Sequence, residues 1–151
     1  MAIKTEAEML ARFNGYLAYL DTLEEDSINR KLKFQLEEYS FEDRTVTLSF
    51  PTEKWMLNPG GVVHGGLVST MFDISMGCSS AAFSGCYPPT VTLSVAFLCP
   101  VPGNDRILVN CRATKVGGRF VQMNAQAVIK SSGEVCATAS GTFYNSSQKV
   151  I

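Results

Sequence analysis

The segment 65–83, GGLVSTMFDISMGCSSAAF, limits the possible fold more than any other part of this chain. Leu67, Val68, Met71, Phe72, Ile74, Met76, Ala81, Ala82 and Phe83 cover nearly every side of a helical wheel. A helix that is apolar all round has to be buried all round. The small residues Ser69, Ser75, Gly77, Ser79 and Ser80 let such a helix sit close to a sheet or a partner helix. Whatever else the chain builds must therefore wrap this segment.

The rest of the sequence supplies the wrapping. Residues 5–24 place Met9, Phe13, Tyr16, Leu17, Leu20 and Leu23 at three- and four-residue steps, which predicts a helix with one apolar stripe. The period then changes to two. Leu32, Phe34 and Leu36 alternate with Lys31, Lys33, Gln35 and Glu37, and after a turn at 41–44 Val46, Leu48 and Phe50 alternate with Thr45, Thr47 and Ser49. This pattern predicts an antiparallel hairpin ended by Pro51. A loop over 51–63 follows, with the breaker cluster Asn58-Pro59-Gly60-Gly61. Beyond the buried helix, the runs 90–99, 106–116, 120–130 and 134–144 read as strands. Gly117-Gly118 is expected as a two-residue hairpin turn, and Ser131-Ser132-Gly133 as the next connection. The expectation is an α+β fold in one domain over 1–151: an N-terminal helical segment (1–29), a core of antiparallel sheet wrapped around one long buried helix (30–144), and a tail (145–151).

With 13 basic and 14 acidic residues the formal charge is −1, so no basic excess points to nucleic acid. No run of 18 apolar residues marks a membrane span, and the opening MAIKTEAEMLARF lacks an apolar signal core, so the expected compartment is the cytoplasm. Cys78, Cys86, Cys99, Cys111 and Cys136 are odd in number and include no CxxC pair. They read as reduced, small apolar residues. With a single histidine, His64, a metal site would need an unusual ligand set.

Two features carry chemistry. Asp73 stands mid-helix among Met71, Phe72, Ile74 and Met76, where an unpaired carboxylate costs several kcal/mol. It is either a functional carboxylate or a partner for a buried basic group or loop. The second feature is Asn58-Pro59-Gly60-Gly61-Val62-Val63-His64-Gly65-Gly66, which sets an amide, an imidazole and two glycines directly before the helix. The first turn of a helix offers unpaired N–H groups and a positive dipole end, the material of an oxyanion hole. A tight loop with a core histidine is the plainer alternative.

Together, N-P-x-G-x-x-H-G-G and an aspartate nine residues after the histidine (73 − 64) resemble the PaaI-like branch of the hotdog-fold acyl-CoA thioesterases. The resemblance runs over about 30–144 and takes in V-T-L-S-V-A-F-L-C-P-V-P-G (91–103), V-G-G-R (116–119) and A-T-A-S-G-T-F (137–143). It implies a hotdog fold and metal-independent hydrolysis of an acyl-CoA thioester with no cofactor. The Gly65 N–H would hold the thioester oxygen, with Asn58 and His64 orienting the same carbonyl and Asp73 acting as general base or nucleophile. Thr90 would place the water, with Thr92 as fallback. Gly66, Gly118, Arg119, Lys130 and Ser131 would contact the substrate, Arg119 at a coenzyme A phosphate. The resemblance also implies a homodimer at minimum and a homotetramer as a dimer of dimers. No glutamate lies between Lys54 and Lys130, which disfavours a dehydratase of the same fold. A non-catalytic acyl-CoA-binding module is the alternative. Phe72, Phe83, Tyr87 and Phe97 could line an acyl pocket or simply fill the core.

Overall fold

The computed structural model describes residues 3–147, so the outermost residues at both ends, including 148–151 of the expected tail, lie outside it. The chain runs α1 (Glu6–Leu20), α2 (Ile28–Lys31), β1 (Gln35–Ser40), β2 (Thr45–Pro51), a 3-10 turn (Lys54–Met56), α3 (Gly65–Ser84), β3 (Thr90–Phe97), β4 (Arg106–Val116), β5 (Phe120–Ile129) and β6 (Val135–Tyr144). The six strands form one antiparallel sheet in the order β1-β2-β4-β5-β6-β3.

Alternation decides which face is inside. Val46, Leu48 and Phe50 of β2, Ile107, Val109 and Cys111 of β4, and Val121, Met123, Ala127 and Ile129 of β5 turn to one side and are buried. Facing them are Val68, Met71, Phe72, Met76, Ala82 and Phe83 of α3, which packs against β2 through β6. Two of the buried serines at this contact are satisfied within the helix, while the Ser80 hydroxyl has no partner among the described residues. Ser75 Oγ donates to the Met71 carbonyl at 2.7 Å and Ser79 Oγ to the Ser75 carbonyl at 2.6 Å, so the small side chains permit close approach without stranding those donors.

Caps fix the ends of both long helices. Thr5 Oγ1 accepts from the Glu8 N–H at 3.2 Å at the start of α1. The chain leaves α3 through Gly85 at φ +76, and the Gly85 N–H donates to the Ala81 carbonyl at 2.8 Å. Arg12 of α1 donates to the Gly85 carbonyl at 2.8 Å, fastening the N-terminal helix over the end of α3. The Met9, Phe13 and Leu20 side of α1 is buried.

Three expectations are corrected. First, α3 is not buried on every side: Thr70, Asp73, Gly77 and Ala81, one stripe at helical spacing, stay half-exposed. Second, the alternation beginning at Lys31 is not strand throughout. Ile28–Lys31 is one helical turn, Lys33 sits at φ +48, and the strand begins only at Gln35. Third, Gly117-Gly118 is not a two-residue turn. Neither glycine has the positive φ that a type I′ turn requires, and residues 117–119 connect β4 to β5 with the Gly117 N–H donating to the Phe120 carbonyl at 2.9 Å.

Candidate active site

The open stripe of α3 carries Asp73 outward to the start of β3. Thr90, the first residue of that strand, donates its hydroxyl to Asp73 Oδ1 at 2.6 Å. Asp73 Oδ2 has no hydrogen-bond partner among the described residues. Thr92, the fallback, is not bonded to the carboxylate. A cavity of about 250 Å3 opens here, lined by Asp73, Thr90, Gly77, Ala81, Tyr16 and Asn29, among others. The nearby Cys78 thiol is fully buried; burial, and to a lesser extent the Asp73 charge, push it up to about 12, although the Tyr16 hydroxyl opposes this. A thiol so shifted stays protonated at neutral pH and is no nucleophile. Burial likewise raises the Tyr16 phenol, which therefore remains a neutral hydroxyl.

The loop–helix junction forms a second centre. Asn58 organises its own loop: Oδ1 accepts from the Gly60 N–H at 2.9 Å and the Val62 N–H at 3.4 Å. Only its Nδ2 donors remain for another molecule. His64 is the N-cap of α3, and its Nδ1 accepts from the Gly66 N–H at 3.2 Å. An accepting Nδ1 puts the proton of a neutral ring on Nε2, which faces away from the cap as a donor. The cap also consumes the Gly66 N–H, which is therefore not free for substrate, and leaves the Gly65 N–H at the dipole end of a 20-residue helix. The Phe97 ring lies against Gly65: a Cβ there would stand 3.2 Å from Phe97 Cζ. Gly65 borders a separate cavity of about 310 Å3 lined by Val62, Val68, Phe97 and Pro100, among others.

The two centres are apart within one chain. Eight residues separate Gly65 from Asp73 (73 − 65), about 12 Å along a helix axis. The strands extend the division. Arg119 precedes β5 at the Thr90 end of the sheet, where Thr90 pairs with Phe143 and Phe120 with Tyr144. Lys130 and Ser131 follow β5 at the other end, and its ten residues span about 33 Å. Arg119 and Lys130 of one chain thus cannot meet at one phosphate. Ser131 is already engaged, its hydroxyl donating to the Asp105 carboxylate, and Lys130 is exposed. Arg119 is exposed and makes no ion pair among the described residues. Asn145 braces its turn by donating Nδ2 to the Gly117 carbonyl at 2.7 Å. Gly118 is open on all sides, with nothing within 4 Å of a Cβ placed there. No group of three or more His, Cys, Asp or Glu is placed to hold a metal among the described residues. No helix among them is long and apolar enough to cross a membrane.

The sequence reading did not identify Tyr16 and Asn29 as wall residues of the Asp73 cavity. The only available signal was a tyrosine placed in the apolar stripe of the N-terminal helix.

Comparison with known proteins agrees with this architecture. The thioesterase superfamily model matches residues 60–136. The bovine (Bos taurus) acyl-coenzyme A thioesterase THEM4 is 33% identical over 90 residues, 58% of this chain and 35% of that protein. This chain thus matches about a third of that relative's length. Among solved structures, the Escherichia coli PaaI protein of the phenylacetic acid degradation operon superimposes with a TM-score of 0.81 at 13% identity, covering 94% of this chain and 98% of that one. A hypothetical thioesterase with coenzyme A from Streptococcus pneumoniae superimposes with a TM-score of 0.70 at 20% identity, over 77% of this chain and 88% of that one. Such likenesses speak to fold, and the shared fold is the hotdog.

Proposed function

Because the chain belongs to the thioesterase superfamily, we propose that it hydrolyses an acyl-CoA to the free acid and coenzyme A. The observation that carries this reading is the Asp73–Thr90 pair. The carboxylate stands at the edge of a cavity, held through one oxygen by a hydroxyl at 2.6 Å, with the other oxygen unpartnered. Such an oxygen can take a proton from a water as that water attacks the thioester carbon, or it can attack that carbon itself. A module that only binds acyl-CoA has no use for an unneutralised carboxylate at this position, since binding alone gains nothing from it.

The negative oxygen that develops on the thioester needs a donor. The Gly65 N–H meets that need, with the Asn58 amide and the outward Nε2–H of His64 alongside. The attacking group and these donors must lie within about 3–3.5 Å of one carbonyl group. A single α3 holds them about 12 Å apart, so we place the complete site between two copies of the chain. The exposed features favour such pairing. β3 is an edge strand, with Val91 53% and Phe97 55% exposed and Leu98, just past its end, 59% exposed, and beside it runs the open Thr70–Asp73–Gly77–Ala81 stripe. A twofold axis here pairs one β3 with the other and sets two α3 helices antiparallel, so that Gly65 of one chain approaches Asp73 of its partner. Thr90 and Arg119 then belong with Asp73, and Asn58, His64 and Lys130 with Gly65. Arg119 is proposed to hold a coenzyme A phosphate. A tetramer would pair two such dimers.

The test is release of free coenzyme A thiol from short, medium, long and aromatic acyl-CoAs, read with a colorimetric thiol reagent. Turnover of at least one is expected. No release from any of them would remove the reading.

A further inference from the structure

We infer that the N-terminal α1–α2 segment sets which acyl groups the site accepts, with Tyr16 and Asn29 forming a stop that selects compact acyl groups. This inference rests on the thioesterase reading above and concerns the cavity beside Asp73. Past Asp73, the stripe of α3 continues with Gly77 and Ala81, four and eight residues on (77 − 73, 81 − 73). Those positions lie about 6 and 12 Å further along the helix. Because both side chains are minimal, an acyl group leaving the reacting carbon can lie against the helix itself. The path ends at residues from outside the core: Tyr16 of α1, and Asn29 of α2, whose Nδ2 donates to the Tyr16 hydroxyl at 3.1 Å.

The stop is anchored. Arg12, one turn before Tyr16, donates to the Gly85 carbonyl at 2.8 Å, and Met9, Phe13 and Leu20 are buried on either side of it. Retreat of Tyr16 would therefore disturb a packed helix. Both wall residues lie in the N-terminal segment, outside residues 60–136, which match the family model. Size gives the cut-off. A dry cavity of about 150 Å3 holds benzene, and the 250 Å3 here scales to about ten non-hydrogen atoms. Acyl groups up to that size can lie within the cavity, while a sixteen-carbon chain would have to extend out of its open side.

The experiment measures kcat/KM for straight-chain acyl-CoAs from butyryl to hexadecanoyl with wild type, Tyr16→Ala and Ala81→Leu. In parallel, calorimetry gives Kd for the matching non-hydrolysable S-alkyl-CoA thioethers. The wild-type profile is expected to peak at or below about ten carbons. Tyr16→Ala should raise the hexadecanoyl-to-butyryl ratio at least about tenfold, since each methylene buried against apolar surface is worth about fourfold and several more would be buried. Ala81→Leu fills the path and should move the peak to shorter chains. If Tyr16→Ala does not fold, Ala81→Leu decides alone. A profile unchanged by the substitutions overturns the inference while hydrolysis itself stands. If nothing is hydrolysed but the thioethers show the same cut-off and the same shifts, the stop stands and the catalytic reading falls. If no thioether binds, both fall.

Discussion

Mixed dimers test the two-chain site. Asp73→Asn removes the acting carboxylate from one chain. Its partner must lose the carbonyl donors without losing its loop. Asn58 Oδ1 holds the Gly60 and Val62 N–H groups, so Asn58→Ala would disturb the loop as well as the site. Asn58→Asp keeps an acceptor oxygen at that position, deletes the Nδ2 donors and adds a negative charge that opposes the developing oxyanion. Each single-variant homodimer then has two defective sites. In a dimer of one Asp73→Asn and one Asn58→Asp chain, one site collects both lesions and the other collects neither. Doubly tagged species should therefore regain about half of wild-type activity per dimer, and an unfractionated one-to-one mixture about a quarter, because half of its dimers are mixed. The figure depends on the roughly 12 Å between Gly65 and Asp73 in one helix, which no side-chain rotation closes. The assay is thiol release by tandem-purified species, with circular dichroism to show both parents folded. Mixed dimers as inactive as either parent would place the whole site in one chain and refute the reasoning.

Other substitutions probe single contacts. Thr90→Val deletes the donor at 2.6 Å from Asp73 Oδ1 and should lower kcat about tenfold or more, the scale of a hydrogen bond to a charged group; Thr90→Ser should restore most of it, and full activity in Thr90→Val would separate Thr90 from the carboxylate's work. Arg119→Ala should raise KM more than it lowers kcat for an acyl-CoA and leave a short thioester without the nucleotide unaffected; equal effects on both substrates would remove Arg119 from the site. Gly85→Ala should destabilise the fold by about 1–2 kcal/mol in urea unfolding, since an L residue is strained at that φ. The new Cβ would also stand 2.9 Å from Arg12 Cζ, and a stability equal to wild type would show that the junction of α1 and α3 yields freely.

The main elements were legible because their signals are local. The all-round apolar character of 65–83 gave α3 almost to the residue, and the strand-like runs gave β2 and β3 to β6. What failed depended on geometry that no pattern encodes. Ile28–Lys31 is too short to show a 3.6-residue period, and the chance alternation of Leu32, Phe34 and Leu36 read as strand across the bend at Lys33. The stripe Thr70, Gly77 and Ala81 is made of small residues that look equally at home facing a sheet or a cavity. Its openness emerged only once β3 was seen as an edge. The site divides in the same way. Asp73 and the Asn58–Gly66 loop stood out as chemically unusual. The consumption of the Gly66 N–H by His64, the engagement of Ser131 with Asp105, and the place of Tyr16 beside Asp73 are long-range or capping facts. The opposite placement of Arg119 and Lys130 was already implied by the strand expected between them and is set by the ten residues of β5.

The most direct measurement of the central claim is the turnover of Asp73→Asn on the best acyl-CoA, taken beside wild type with matched thermal unfolding. The substitution keeps an oxygen for the Thr90 hydroxyl, removes the charge and basicity, and turns the second oxygen into an NH2 donor. Loss of a positioned base lowers turnover by about 100-fold or more, and the account predicts a kcat reduced by at least that factor with KM little changed. A variant that turns over at near the wild-type rate would show that Asp73 is structural and contradict the mechanism.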